Sequence, residues 1–152
     1  EELELEGEGV RGVVTPGTRP PQHQIEEDQA LGPDKHTRYR ALAARANCLA
    51  ADWVDILFAA KEVCRFMANP TTLTMAALKR LGRYLKERPR VVFDMPFQKG
   101  TMTDVYSATD WAGCVRTCKS TSGGCVVMGK HTTKVWSATR ASVALSSGEA
   151  EY

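Results

Sequence analysis

The chain has 152 residues, of which 43% are hydrophobic, 25% charged and 7% aromatic, a globular composition that excludes collagen, coiled-coil and mucin-like chains. The net charge of +2 is unevenly distributed. Residues 1–28 carry eight acids and two bases, a net charge of −6, and residues 29–152 carry ten acids and eighteen bases, a net charge of +8. An acidic leader therefore precedes a basic body, and such a body suits an anionic partner.

The five cysteines form no Cys-x-x-Cys pair, and the sequence has no signal-peptide stretch and no apolar run long enough to span a membrane. An odd number of cysteines is typical of a reducing compartment. We therefore expect an intracellular protein, in the cytoplasm or nucleus, without a membrane partner. The sequence stops at Glu-Ala-Glu-Tyr, which predicts that it has been cut from a longer chain.

Residues 1–35 combine five glycines and four prolines with many charges. Such a composition buries too little apolar area to offset the entropy lost on ordering. We predict an acidic linker that is disordered. The alternative is that Val10, Val13 and Val14 add a short strand to a larger body.

Residues 36–90 have the apolar periodicity of helices. Three helices are expected, and they begin at Thr37, at Asp52 or Ala51, and at Thr71 or Thr72. The second helix should end before Asn69-Pro70, because a residue before proline resists the α conformation, and the third should end at Pro89.

After Pro89 the apolar period changes to two, which favours strands. Four short strands are expected, at residues 91–93, 104–107, 124–129 and 132–137. Residues 142–152 are typical of the start of a helix. This order predicts an α+β arrangement in two units, with a boundary near residues 88–100.

Four motifs lie in residues 104–152: Asp-Trp-Ala-Gly at 110–113, Lys-Ser-Thr-Ser-Gly at 119–123, Trp-Ser at 136–137 and Leu-Ser-Ser-Gly-Glu-Ala-Glu-Tyr at 145–152. Their order and spacing resemble the ribonuclease H domain of copia-type retrotransposon Pol polyproteins. Asp55-Ile56, Asn69-Pro70 and Arg83-Tyr84-Leu85-Lys86 resemble the segment linking reverse transcriptase to ribonuclease H in the same polyproteins.

The resemblance implies a helical connection at 36–90. Residues 91–152 would then form an incomplete ribonuclease H-like mixed α/β fold, with its first three strands and the start of its first helix. The implied activity is cleavage of the RNA strand of an RNA–DNA hybrid. The implied partners are this hybrid or another nucleic acid, and the remainder of the Pol polyprotein. The implied cofactor is Mg²⁺ or Mn²⁺, held by carboxylates.

The first catalytic Asp of the family falls on Ala108, and a methyl group cannot bind a metal. Asp110 would lie on the same side of a strand, about 6–7 Å further along. The acid of the next helix matches Glu151, with Glu149 as the alternative, and the remaining family carboxylates would lie beyond Tyr152. Asp110 and Glu151 are thus the candidate catalytic residues and Mg²⁺ ligands, in a chain that we expect to be inactive.

These acids also have structural interpretations. Asp110 is able to cap the turn after its strand, and Glu149 and Glu151 suit the N-terminus of a helix capped by Ser146 or Ser147. Two further departures from the family, Cys118 for Arg and Arg140 for Gln, favour a decayed copy.

Basic residues of the third helix are candidates for phosphate contacts or for an ordinary solvated face: Lys79, Arg80, Arg83, Lys86 and Arg88. Lys119 is a further candidate. The alternative function is therefore a non-enzymatic nucleic-acid-binding or scaffolding piece. A minor alternative is a small zinc-binding module, because Cys114, Cys118, Cys125 and His131 offer four soft ligands within eighteen residues.

Overall fold

A computed structural model describes residues 11–100 and 102–152. The chain divides into two compact units, one ending at Val91 and the other formed by Val92–Tyr152. The described part of the first unit is helical, and the second combines a three-stranded antiparallel sheet with a short helix. The predicted α+β class is confirmed.

The helical unit contains α1 (Gln22–Glu26), α2 (Pro33–Ala50), a 3₁₀ turn (Val54–Ile56), α3 (Leu57–Cys64) and α4 (Thr72–Glu87). Helix α2 begins four residues before the predicted start, because proline is favoured in the first turn of a helix. The predicted second helix is a 3₁₀ turn followed by the shorter α3. Among the described helices, none is long and apolar enough to cross a membrane.

The core of this unit lies where α2, α3 and α4 meet. Small residues of α2, including Ala43, Ala46 and Ala50, are buried on one face and let the helices pack closely. The Tyr39 hydroxyl donates a hydrogen bond of 2.6 Å to the Val63 carbonyl inside this core.

A second buried tyrosine joins α4 to the 3₁₀ turn. The hydroxyl of Tyr84 donates to the carboxylate of Asp55, and the Arg88 guanidinium lies 5.5 Å from the centre of the Tyr84 ring. Asp55-Ile56 and Arg83-Tyr84-Leu85-Lys86 are therefore in direct contact.

The segment at residues 28–31 pairs with the start of α4. Ala30 and Thr71 form an antiparallel bridge, and the Leu31 amide donates to the Pro70 carbonyl at 2.9 Å. The prediction of a linker through residue 35 included this segment. Residues 1–10 of that linker lie outside the described residues, whereas residues 28–31 make long-range contacts that composition does not reveal.

The sheet of the second unit contains β1 (Thr103–Thr109), β2 (Thr121–Met128) and β3 (His131–Thr139), in the order β1-β2-β3, and α5 (Ser147–Glu151) follows. Three predicted strands are confirmed, with longer bounds. The strand predicted at residues 91–93 is wrong, because these residues have no regular structure. Val92 and Phe93 are 78% and 53% exposed, and no described strand pairs with them.

The sheet has little core of its own. No side chain of β1, β2 or β3 is buried, and among the described residues of this unit the buried ones are Ser120, Ala144 and Ala150. Gly123 and Gly124 contribute to the small size of this core, because two neighbouring positions of the central strand β2 have no side chain that could pack.

Candidate functional site

Asp110 follows β1 and closes the junction between β1 and β2. Its amide donates to the Thr121 carbonyl at 3.0 Å, and its carboxylate accepts from the Thr121 amide. A side chain at Gly113 would collide with this carboxylate, so the glycine of Asp-Trp-Ala-Gly leaves room for it. These contacts support the interpretation of Asp110 as a turn cap.

The motifs at 110–113 and 119–123 meet around this junction, together with Arg140 and Ala144. The buried Ser120 hydroxyl accepts from the Ala112 amide at 3.2 Å, and the Ser120 carbonyl accepts from the Arg140 amide at 2.8 Å. The Trp111 indole donates to the Ala144 carbonyl at 3.1 Å. Backbone groups from distant parts of the second unit are thus held together at one end of the sheet.

The fourth motif forms the start of α5. The Ser146 hydroxyl accepts from the Glu149 amide at 3.1 Å, and the Glu149 carboxylate accepts from the Leu145 amide at 2.8 Å. Glu149 therefore caps the helix that carries it, which satisfies two backbone donors at the helix N-terminus. Glu151 is exposed in the last turn of α5.

Arg140 contributes to this region in a way that the sequence reasoning missed. Its guanidinium donates to the carbonyl oxygens of Glu149 (3.4 Å) and Ala150. The last carbonyl groups of a helix have no hydrogen-bond partner within the helix, and they favour a cation nearby. This rule could have indicated the contact of Arg140 with the end of α5.

Ala108 lies on β1 opposite Gly123, and α5 contacts the same strand with Ala150 fully buried. Ala108, where the resemblance leads us to expect a catalytic Asp, is thus on the strand next to the helix that carries Glu151. In the part of the chain that the structure describes, no three His, Cys, Asp or Glu side chains converge to hold a metal ion.

The candidate zinc ligands likewise form no cluster of three among the described residues. Cys125 is in the middle of β2, paired with Tyr106 and Val135, and His131 opens β3 opposite Met128. The sheet register therefore separates these two residues from the loop that holds Cys114 and the exposed Cys118.

The basic residues of α4 differ in their surroundings. The Arg80 guanidinium donates to the carbonyl (3.2 Å) and hydroxyl (2.8 Å) of Thr15, and the Arg83 Nε atom is buried without a hydrogen-bond partner. Lys86 is exposed and Lys79 is half-buried. In the second unit, Lys119 is half-buried, and its carbonyl accepts from the Cys114 amide.

Among known proteins, no family model matches this sequence, and no solved structure matches it significantly. Curated proteins of Arabidopsis thaliana do match. The retrovirus-related Pol polyprotein from transposon RE1 is 34% identical over 116 residues, 76% of this chain, and that from transposon RE2 is 32% identical over 143 residues, 94% of this chain. An uncharacterized mitochondrial protein is 33% identical over 117 residues, 75% of this chain.

The chain spans only a small part of these polyproteins, 8% of the first and 10% of the second, and 48% of the mitochondrial protein. The chain therefore belongs to the family of copia-type retrotransposon Pol polyproteins and corresponds to a short segment of them.

Proposed function

We propose that this chain is a Pol segment derived from ribonuclease H, attached to a helical connection, and that it does not cleave RNA–DNA hybrids. The observation that carries the proposal is Ala108. A methyl group lies on β1 where the resemblance expects a metal-binding carboxylate, and the nearest acid along the chain, Asp110, is hydrogen-bonded to the Thr121 amide.

The topology of the second unit supports derivation from a ribonuclease H-like fold. Three antiparallel strands in sequential order lead into a helix that contacts β1. This is the arrangement expected for the first strands and first helix of such a fold. It brings the proposed active-site helix and the strand of Ala108 side by side.

The residues present do not fit a two-metal site. Hydrolysis by this chemistry requires several carboxylates around two cations about 3.5–4 Å apart. Asp110 and Glu149 direct their carboxylates to backbone amides, and Ala108 offers no ligand. Glu151 alone provides too few oxygen ligands for Mg²⁺ or Mn²⁺. We therefore propose that neither ion binds tightly.

A cleavage assay tests this proposal. The full chain is incubated with a labelled RNA–DNA hybrid in Mg²⁺ and, separately, in Mn²⁺, and we expect no product above the no-protein control. Cleavage that requires the metal and disappears in Glu151→Gln would overturn the proposal.

A second candidate function, binding of an RNA–DNA hybrid without cleavage, is favoured by the net charge of +8 over residues 29–152. The α4 cations and Lys119 are the proposed phosphate contacts. We expect Lys79→Gln and Lys86→Gln each to weaken hybrid binding and flatten its salt dependence, because each substitution removes one cation from the proposed phosphate contacts. Binding that is unchanged by both lysine substitutions, or insensitive to salt, would exclude this candidate.

A further inference from the structure

Residues 12–17, which we call the strap, lie along one face of α4. A Cβ at Gly12 would collide with the side chain of Glu87 at the end of the helix, and the carbonyl and hydroxyl of Thr15 accept hydrogen bonds of 3.2 Å and 2.8 Å from Arg80. Arg80 and Glu87 are seven residues apart, about two turns of the helix, and therefore share a face. The strap thus crosses α4 in the direction opposite to that of the helix.

Few contacts fix the strap in place. Val13 is partly buried against the helical core, and a Cβ at Gly17 would lie 3.5 Å from the Cβ of Ala59 in α3, an ordinary van der Waals distance. The strap belongs to no helix or strand, so no hydrogen-bonded ladder adds to these contacts. A segment with few buried contacts opens locally at a low cost in free energy. The strap should therefore be accessible to an enzyme and sensitive to any change in its contact with Arg80.

Thr15 is the strap residue that carries a hydroxyl group, and it is exposed. Of the seven prolines in the sequence, Pro16 alone follows a serine or threonine. A residue before proline is restricted to extended backbone, and a Ser/Thr-Pro pair is the sequence that proline-directed protein kinases modify. The sequence therefore offers a single site of this type, and the structure places it beside an arginine.

We propose that Thr15 is a phosphorylation site for a proline-directed serine/threonine kinase, and that the phosphate fastens the strap to Arg80. A bond forms between Thr15 Oγ1 and the γ-phosphorus of ATP as the bond to the β–γ bridging oxygen breaks. ADP leaves, and the hydroxyl proton passes to the catalytic base of the kinase. The phosphate carries a charge of about −1.5 to −2 at pH 7 and three acceptor oxygens. It extends from the atom that Arg80 already contacts at 2.8 Å, so an ion pair with hydrogen bonds replaces a bond to a neutral oxygen.

The first test is modification of the full chain by a purified proline-directed kinase with Mg²⁺ and ATP. Mass spectrometry should find one phosphate, at Thr15, and Pro16→Ala should abolish it. Thr18 is the internal control, because it is exposed in the same part of the chain but is followed by arginine, and it should stay unmodified. Absence of phosphate at Thr15, or equal modification of Thr18, would overturn the proposal.

The second test compares the phosphorylated and unmodified chains. Phosphorylation should slow amide hydrogen exchange in the strap several-fold. Phosphorus NMR should give a second phosphate pKa below its usual value of about 6, because the guanidinium stabilises the dianion. Both effects should be lost in Arg80→Gln and kept in Arg40→Gln, which removes an exposed arginine of α2. Strap exchange that phosphorylation leaves unchanged, or effects of equal size in Arg80→Gln and the wild type, would overturn the fastening of the strap by Arg80.

Discussion

Gly124 lies in the central strand β2 at a position with no room for a side chain. A Cβ there would collide with the Tyr106 carbonyl oxygen and with the indole of Trp136, one ring carbon of which would lie 2.6 Å away. Relief of these contacts requires the ring or the neighbouring strand to move. We expect Gly124→Ala to lower the free energy of unfolding by about 1–3 kcal/mol, measured by chemical denaturation.

Gly123 provides the control in the same strand. A Cβ at Gly123 would meet only the Trp136 carbonyl oxygen, at 3.4 Å, close to an ordinary van der Waals distance. Gly123→Ala should therefore be nearly neutral. Equal losses from the two substitutions would show that the Trp136 contact is not the cause.

Tyr39 should make stability depend on pH in the alkaline range. Burial raises the pKa of Tyr39 from 10.0 to about 12, against a smaller opposing effect of a hydrogen bond with Thr74. The folded state therefore favours the neutral phenol, so this contribution is fully present below pH 10 and is lost as the pH rises toward 12.

Denaturation curves of the wild type and Tyr39→Phe between pH 9 and about pH 12 would measure this contribution. The wild type should lose stability over this range more steeply than Tyr39→Phe. Tyr106→Phe, which removes the hydroxyl of an exposed tyrosine, is the control for the loss of a phenol. Parallel curves for wild type and Tyr39→Phe would contradict the prediction.

Asp110 shows where prediction from the sequence had to leave two roles open. Its residue type and its place after a strand suit both a metal ligand and a turn cap. The structural contact is with Thr121, eleven residues later, and depends on the register of β1 with β2. Neither local composition nor a motif specifies that register, so the sequence could name the residue but not its partner.

The N-terminus of α4 is stabilised by residues from two parts of the chain. Thr71 and Thr74 form a capping box, and the Asp28 carboxylate accepts from the Leu73 amide (3.0 Å) and the Thr72 hydroxyl (2.8 Å). Acids near a helix N-terminus satisfy orphan amides and meet the positive end of the helix dipole. We expect Asp28→Ala to lower the unfolding free energy by about 1 kcal/mol, measured by urea denaturation.

The neighbouring acid gives the comparison. Glu27 is exposed at the end of α1, and Glu27→Ala changes the net charge by the same amount. It should alter stability by only a few tenths of a kcal/mol. An equal loss at Glu27 would indicate that overall charge, and not the contact with α4, determines the effect.

The elements that can be predicted from the sequence are those with local sequence signals, such as a capping residue or an apolar stripe. Thr71 and the apolar stripe through Leu78 and Leu81 specify where α4 begins and which face it buries, and both are found. The strand predicted at residues 91–93 is wrong because a strand depends on more than local signals. Val and Phe favour strands, but a strand also requires a partner, and pairing between distant segments is not encoded in the run itself.

The two units should differ in local stability. The helical unit buries large side chains such as Tyr39, Ile56 and Leu81, whereas no strand side chain of the second unit is buried. Hydrophobic burial provides most of the resistance to opening. Amide hydrogen exchange on the full chain should therefore give lower protection in β1, β2 and β3 than in α2 and α4.

Protection of the strands equal to that of α2 and α4 would contradict this expectation. What could not be predicted is that the few buried positions would be Ser120, Ala144 and Ala150, outside the strands. Those positions depend on how the loops return to the sheet.

The two caps of α4 should act at different times during folding. Thr71 caps through a residue three positions away, whereas Asp28 reaches Leu73 across 45 residues of chain. Closing the longer loop carries the larger entropy cost, so the Asp28 contact should form after the main barrier. Loss of Thr71 should then slow refolding, while loss of Asp28 should mainly accelerate unfolding. The N-terminus of α4 thus has two caps with different roles. The Thr71 contact forms early in folding, and the Asp28 contact forms late and slows unfolding.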